Sequence, residues 1–172
     1  WKMSIEETAS DGVTRNYCFN HGEARIGWEN AGDLLTQNFE KMAELGGKEK
    51  SSLRHFGFNV QLGDVVVCLK TVKTIQAVGV VTGSYQYESD VPPGVRKDYV
   101  HKLPIHWLAT GIDLDVTALN GGKQLTLQTV YRLWNVSWPK LHEALLHAKI
   151  SLNGLQSTVS KALEPYVLII DE

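Results

Sequence analysis

An apolar run from Val65 to Leu69 follows Gly63-Asp64, turns through Thr71-Val72-Lys73, and returns from Ile75 to Val81. Two short apolar runs joined by a tight polar turn read as the two strands of a buried hairpin. The second run emerges into Tyr85 and Tyr87, two residues apart, which puts both rings on one side of an extended chain. A buried hairpin that delivers same-side aromatics to its exit is a scaffold for a flat ligand rather than a catalytic centre.

The chain has 172 residues, enough for one domain with a real core and an appended tail. With 43% hydrophobic and 21% charged residues and a net charge of −2, it reads as an ordinary globular chain rather than a broadly basic nucleic-acid binder. Local basic groups remain at expected turns and strand ends: Lys70-Lys73, Arg96-Lys97 and His101-Lys102. No apolar run reaches the roughly 18 residues a membrane span needs, and no signal peptide is visible. Cys18 and Cys68 lack paired metal-ligand spacing and read as isolated buried thiols, with a disulfide as the alternative, so a cytoplasmic setting is expected. The opening Trp1 suggests a segment of something longer.

Around the hairpin, Trp1 to Ser4 reads as a short strand, and Tyr17 to Phe19 fits strand or helix. Ala24 to Trp28 forms another short strand ending in an aromatic. Leu34, Leu35, Phe39, Met42 and Leu45 recur at near-helical spacing, predicting a helix from Asp33 to Gly46, and Leu53 and Phe56 suggest a second. Pro92-Pro93-Gly94 marks 88–97 as a loop. Tyr99 to Leu108 is a predicted strand with Leu103, Ile105 and Trp107 on one face, and Leu125 to Leu133 alternates similarly. Ser137 is placed to cap a helix with Pro139 in its first turn and Leu141, Leu145 and Ala148 on its apolar side. The sum is an α+β chain: a small, mostly antiparallel β-barrel with flanking helices.

Catalytic and metal motifs find no support. The six histidines form no HExxH pair, no Gly-x-Ser-x-Gly elbow is present, and Gly27 to Gly32 carries bulky Trp28 and Glu29 where a phosphate loop needs small residues. The aromatics carry more: Trp28, directly after Gly27 and before polar Glu29-Asn30, is where a stacking platform belongs. The tail Pro165 to Glu172 sets four apolar residues before Asp171-Glu172. It reads either as a final buried strand or as the Walker B strand of a nucleotidase, where one carboxylate holds Mg²⁺ and its neighbour polarises water.

In order, Trp1-Lys2-Met3-Ser4, Ile26-Gly27-Trp28, Gly32-Asp33-Leu34, Leu62-Gly63-Asp64-Val65-Val66-Val67, Val78 to Tyr85, His106-Trp107-Leu108 and Thr129 to Leu133 resemble EVE-like domains. These belong to the PUA-like superfamily and are relatives of YTH domains. The version here resembles the one attached to McrB-type AAA+ motors of modification-dependent restriction systems, and the tail resembles their Walker B segment. The resemblance implies a PUA-like modified-base recognition domain over residues 1–152, with 153–172 a linker and truncated start of the motor. It implies DNA binding in which a methylated or otherwise modified base is flipped into an aromatic pocket; reading of modified RNA, or a structural domain whose aromatics are all core, are the alternatives. By position, Trp28, Tyr85, Tyr87 and Ser4 would form the pocket, with Tyr99 and Trp107 as further members. Arg96, Lys97 and Lys102 would contact phosphate. No catalytic residue, metal or cofactor is expected in this segment. Asp171 and Glu172 would serve GTP or ATP with Mg²⁺ in an oligomeric parent motor, and an McrC-type nuclease would do the cutting. The loop after Tyr87 departs from the YTH pattern, holding Pro92-Pro93 and no tryptophan.

Overall fold

The central hairpin forms as the sequence predicts: β3 (Val65–Leu69) pairs antiparallel with β4 (Thr74–Val81). The computed structural model describes residues 1–6, 10–36 and 42–154. In β3, alternate side chains leave on opposite faces, so Val66 and Cys68 enter one apolar cluster while Val67 and Leu69 enter another. Burial on both faces explains why the run is continuously apolar rather than alternating.

The remaining strands are β1 (Lys2–Met3), β2 (Glu23–Ile26), β5 (Gln86–Tyr87), β6 (His101–Asp115) and β7 (Val130–Tyr131). The sheet runs β2-β6-β4-β3-β1-β7, with β5 on β6, and among the described residues only the β1–β3 pair is parallel. The mixed, mostly antiparallel α+β architecture therefore stands. The described strand path, however, is an open sheet ending at β2 and β7 rather than a closed barrel.

Strand β6 runs to Asp115, past the predicted end at Leu108, because its second half pairs with the whole of β4. Its first half takes β2 on one edge and β5 on the other. Gly79 sits where this pairing is tightest: a Cβ there would lie 2.5 Å from Ile105 Cγ2 and 2.8 Å from Trp107 Cε3. The sequence 125–133, predicted as one alternating strand, contributes only Val130 and Tyr131.

Helices close both faces. On the first, α1 (Val13–His21) and α2 (Gly47–Arg54), which runs on into a π-helical turn at His55–Asn59, pack with Met3, Leu53 and Phe56. Tyr17 to Phe19 is thus helical. On the second, α3 (Trp138–His147) inserts Leu141 and Leu145 against Val78, Val80 and Leu108. Ser137 holds the N-cap position with extended backbone but makes no side-chain cap bond. The predicted helix from Asp33 to Gly46 opens with a 3₁₀ turn at Leu34–Thr36, and residues 37–41 of it lie outside the described residues. Both cysteines are buried and unpaired, Cys18 on α1 and Cys68 on β3, and burial pushes the Cys68 thiol up to about 11.

Candidate modified-base pocket

Where β1 and β2 end, the chain twice enters the left-handed region with a non-glycine residue: Glu6 at φ 67° and Trp28 at φ 69°. Left-handed backbone costs an ordinary residue about 1–2 kcal/mol and persists only where its surroundings over-determine it. Both residues line one cavity of about 430 Å³, together with Ser4, Gly27, Leu69, Arg96, Asp98, Tyr99, Leu127 and Thr129. That volume falls within the roughly 300–1,000 Å³ of ligand sites.

The Trp28 carbonyl accepts the Ala31 N–H at 3.0 Å and also ends a buried hydrogen-bond relay. His101 is fully buried on β6; its Nε2 lies 3.1 Å from the Trp28 carbonyl and its Nδ1 2.7 Å from the Tyr85 hydroxyl. A carbonyl only accepts, so Nε2 carries the proton and donates to Trp28. Nδ1 then accepts from the Tyr85 O–H, whose oxygen in turn accepts the Leu34 N–H at 3.3 Å. Burial pushes the His101 pKa down, against opposing effects of the Trp28 carbonyl and Asp33, so the neutral ring this relay requires is the favoured form.

Tyr99 is positioned by charge. Arg25 on β2 is 1% exposed; its guanidinium donates to the Tyr99 carbonyl at 3.1 Å and pairs with Glu23 at 2.8 Å and with Glu88. Glu88 also accepts from Lys102 at 3.1 Å. Burial alone would raise the Glu88 pKa, but the hydrogen bonds from Arg25 and Lys102 outweigh it and hold the carboxyl below its usual range. The other end of the loop is tied to α1, where the Arg96 N–H donates to Thr14 Oγ1 at 2.9 Å. Gly27 lets the loop close in, since a Cβ there would stand 3.1 Å from Asp98 Oδ2 and 3.5 Å from the Tyr99 ring. The Arg96 guanidinium lies 5.0 Å from the Tyr99 ring centre. Burial pushes the Tyr99 hydroxyl up to about 12.

On the β1 side, Lys2 is fully buried, and its ammonium donates to Ser4 Oγ and to the Gln128 carbonyl, each at 2.6 Å. An ammonium cannot accept, so Ser4 Oγ is the acceptor and its own proton is left to donate elsewhere. The Ser4 N–H is spent on the Thr129 carbonyl at 2.9 Å. Among the described residues no acceptor takes the Ser4 hydroxyl proton. Burial lowers the Lys2 pKa to about 8, which leaves it largely charged at neutral pH. On the Glu6 side, the carboxylate accepts the Arg15 N–H at 3.0 Å while Arg15 Nη1 donates to the Ile5 carbonyl at 3.3 Å, holding the turn.

Of the residues anticipated from sequence, Ser4, Trp28, Tyr99 and Arg96 meet in this cavity. Tyr85 and Tyr87 do lie on one side, each ring 5.8 Å from that of His101, but they face inward. Tyr85 packs edge-on against Phe56 and lies in the core instead of the pocket wall. Trp107 is likewise core: its Nε1 donates to the carbonyls of Cys18 and Glu23 at 3.1 and 3.2 Å, and Phe19 meets its ring at 80°. Lys102 is engaged with Glu88, and the Arg96 guanidinium pairs with Asp98 at 3.3 Å, whereas Lys97 is exposed. Asp171 and Glu172 lie outside the described residues. Sequence reading missed Glu6, Asp98, Leu127 and Thr129 on the wall, and Lys2 and His101 behind it. The signals available were a lysine inside a buried strand and a histidine opening one.

What the cavity offers chemically is one half-buried indole, one half-buried phenol, an unspent hydroxyl donor, and two carboxylates as acceptors. Among the described residues no group of three or more His, Cys, Asp or Glu side chains converges to hold a metal. No helix among them is long and apolar enough to cross a membrane.

No curated protein matches the chain. Among solved structures, the crystal structure of the YTH domain of Zygosaccharomyces rouxii MRB1 protein in complex with N6-methyladenosine RNA is similar at 10% identity. That match covers 89% of this chain and 87% of the other, with a TM-score of 0.45. The model of the family described as Domain of unknown function (DUF8426) matches residues 1–134, and the chain belongs to that family.

Proposed function

We propose that this chain is a nucleic-acid reader that takes a modified base, flipped out of its stack, into the cavity between Trp28 and Tyr99. The observation that carries this reading is Trp28 itself: a half-buried indole on a cavity wall, kept in a strained backbone conformation by a dedicated buried relay. Base–aromatic stacking contributes about 1–3 kcal/mol per base, which offsets the few kcal/mol that unstacking costs. The free Ser4 proton would donate to an acceptor atom on the base edge, and Asp98 or Glu6 would accept from an amino group. That donor–acceptor pairing favours the Watson–Crick edge of adenine or cytosine, where an acceptor ring nitrogen lies beside an amino group, over that of guanine, whose N1 carries a proton. Arg96 and Lys97 at the rim would meet phosphate.

We propose further, from the sequence resemblance alone, that the ligand is DNA and that the module serves an McrB-type AAA+ motor. In that setting the parent would be oligomeric, would use GTP or ATP with Mg²⁺, and would act with an McrC-type nuclease. Calorimetric titration with matched DNA strands carrying methyladenine, methylcytosine or neither, each repeated as RNA, tests the reading. The expected result is tighter binding of one methylated DNA than of its unmodified control. Equal affinity for all strands, or none, would defeat it, and preference for RNA would overturn the DNA assignment.

A further inference from the structure

Beyond the base pocket, four flat groups form a row at the opposite end of the β1–β7 pair. The His55 ring centre lies 5.1 Å from that of Trp1, and the Arg132 guanidinium lies 6.0 Å from the Trp1 ring and 4.3 Å from the Trp134 ring. Trp134 ends the row and is 79% exposed. Grooves of about 470 and 450 Å³ flank it, both lined by Trp1, Asn59, Gln61, Arg132 and Trp134.

The row sets its rings beside polar groups. Amide and charged side chains (Asn59, Gln61, Gln128, Asp64 and Arg132) stand in the lining beside aliphatic Val65, Leu133 and Val136, and Asp64 Oδ2 accepts from Trp1 Nε1 at 2.8 Å and from the Gln61 N–H at 2.9 Å. Among the described residues Arg132 has no carboxylate within ion-pair distance. An indole backed by a stacked guanidinium, with amides at its edge, is a platform for a flat, polar ligand carrying negative charge nearby.

Its place in the fold ties it to the pocket. Ser4 and Thr129 line the base cavity, while Trp1 and Arg132, each three residues away along its own segment, line the grooves. Three residues of extended chain span about 10 Å. We infer that Trp134, backed by Arg132, is a second stacking site that takes a nucleobase neighbouring the flipped one on the same single strand. This rests on the proposed nucleic-acid reading and extends it from one nucleotide to a strand track.

The test compares wild type, Trp134→Ala, Trp134→Phe and Trp28→Ala in binding two probes: a modified nucleoside 5′-monophosphate and a single-stranded oligonucleotide carrying the same base. Trp134→Ala is expected to lose about tenfold in affinity for the oligonucleotide and nothing for the mononucleotide. Trp134→Phe, which keeps a ring, should recover most of that loss. The ratio of modified to unmodified affinity should not change. Unaltered oligonucleotide binding by Trp134→Ala, or an equal loss for both probes, would overturn the second site. If wild type ignores the modification while the Trp134→Ala loss persists, the base-reading proposal fails and the stacking site stands.

Discussion

Tyr85 touches no ligand in this account, yet it governs the pocket through His101. Replacing it by phenylalanine keeps the ring against Phe56 but leaves His101 Nδ1 and the Leu34 N–H without partners. Each buried polar group left unpaired costs about 1–3 kcal/mol, so Tyr85→Phe should lower unfolding free energy by that order. It should also weaken base binding, because the relay no longer fixes Trp28. Chemical denaturation with a parallel ligand titration checks both, and a variant that is destabilised but binds normally would separate Tyr85 from the site. Lys2 makes a prediction of a different kind. Its pKa falls from 10.5 to about 8 on folding, because burial disfavours the charged form. Below pH 8 both folded and unfolded states carry the charge, and the burial penalty is fully present. Between pH 8 and 10.5 the unfolded state holds the proton that the folded state has lost, so stability rises with pH. Relative to Lys2→Met, wild type should gain about 2 kcal/mol between pH 7.5 and 9.5. Tyr99 and Tyr85, both raised by burial, act in the opposite sense only at higher pH and do so in both proteins. A pH-independent difference between the two proteins in denaturation midpoints would contradict this.

Among the elements, the pairing of β4 with β6 decides how the first face is filled. Gly79→Ala would push a methyl group into Ile105 and Trp107, and overpacking of this kind costs about 1–3 kcal/mol. The measurement is thermal unfolding, and an unchanged midpoint would mean that the strands part more easily than their register implies. This level also shows what the chain makes legible. The β3–β4 hairpin announces itself because each run is apolar on both faces and a polar turn separates them. Helix α1 does not, because it buries little beyond Thr14 and Cys18 and carries no long apolar stripe to fix its period. Strand β6 outruns its apolar pattern since its last residues are held by β4 hydrogen bonds while their side chains are largely exposed. Trp28 is legible as a platform from Gly27 and the polar turn around it. The inward turn of Tyr85 and Tyr87 is not, because spacing fixes a shared side but not which side is the interior. His101, sixteen residues from Tyr85 in sequence, decides that, and only the pairing of β5 with β6 brings it there.

For the whole molecule, two packed faces leave the pocket at the ends of β1 and β2, walled by a loop that α1 and Arg25 anchor at either end. Arg25 is the keystone of that anchoring. Removing a buried charge from its partners costs about 3–5 kcal/mol, so Arg25→Ala should lower stability by that much and release the Tyr99 loop, readable as faster proteolysis between Val95 and Val100. The central claim, however, is that Trp28 distinguishes a modified base. The most direct measurement is the ratio of dissociation constants for one oligonucleotide with and without the modification, in wild type and in Trp28→Ala. Burial of one methyl contributes about 0.8 kcal/mol, so wild type should favour the methylated strand by at least about fourfold. Trp28→Ala should lose the ratio along with about 1–3 kcal/mol of affinity. A wild-type ratio of one, or a ratio that survives removal of the indole, would contradict the account.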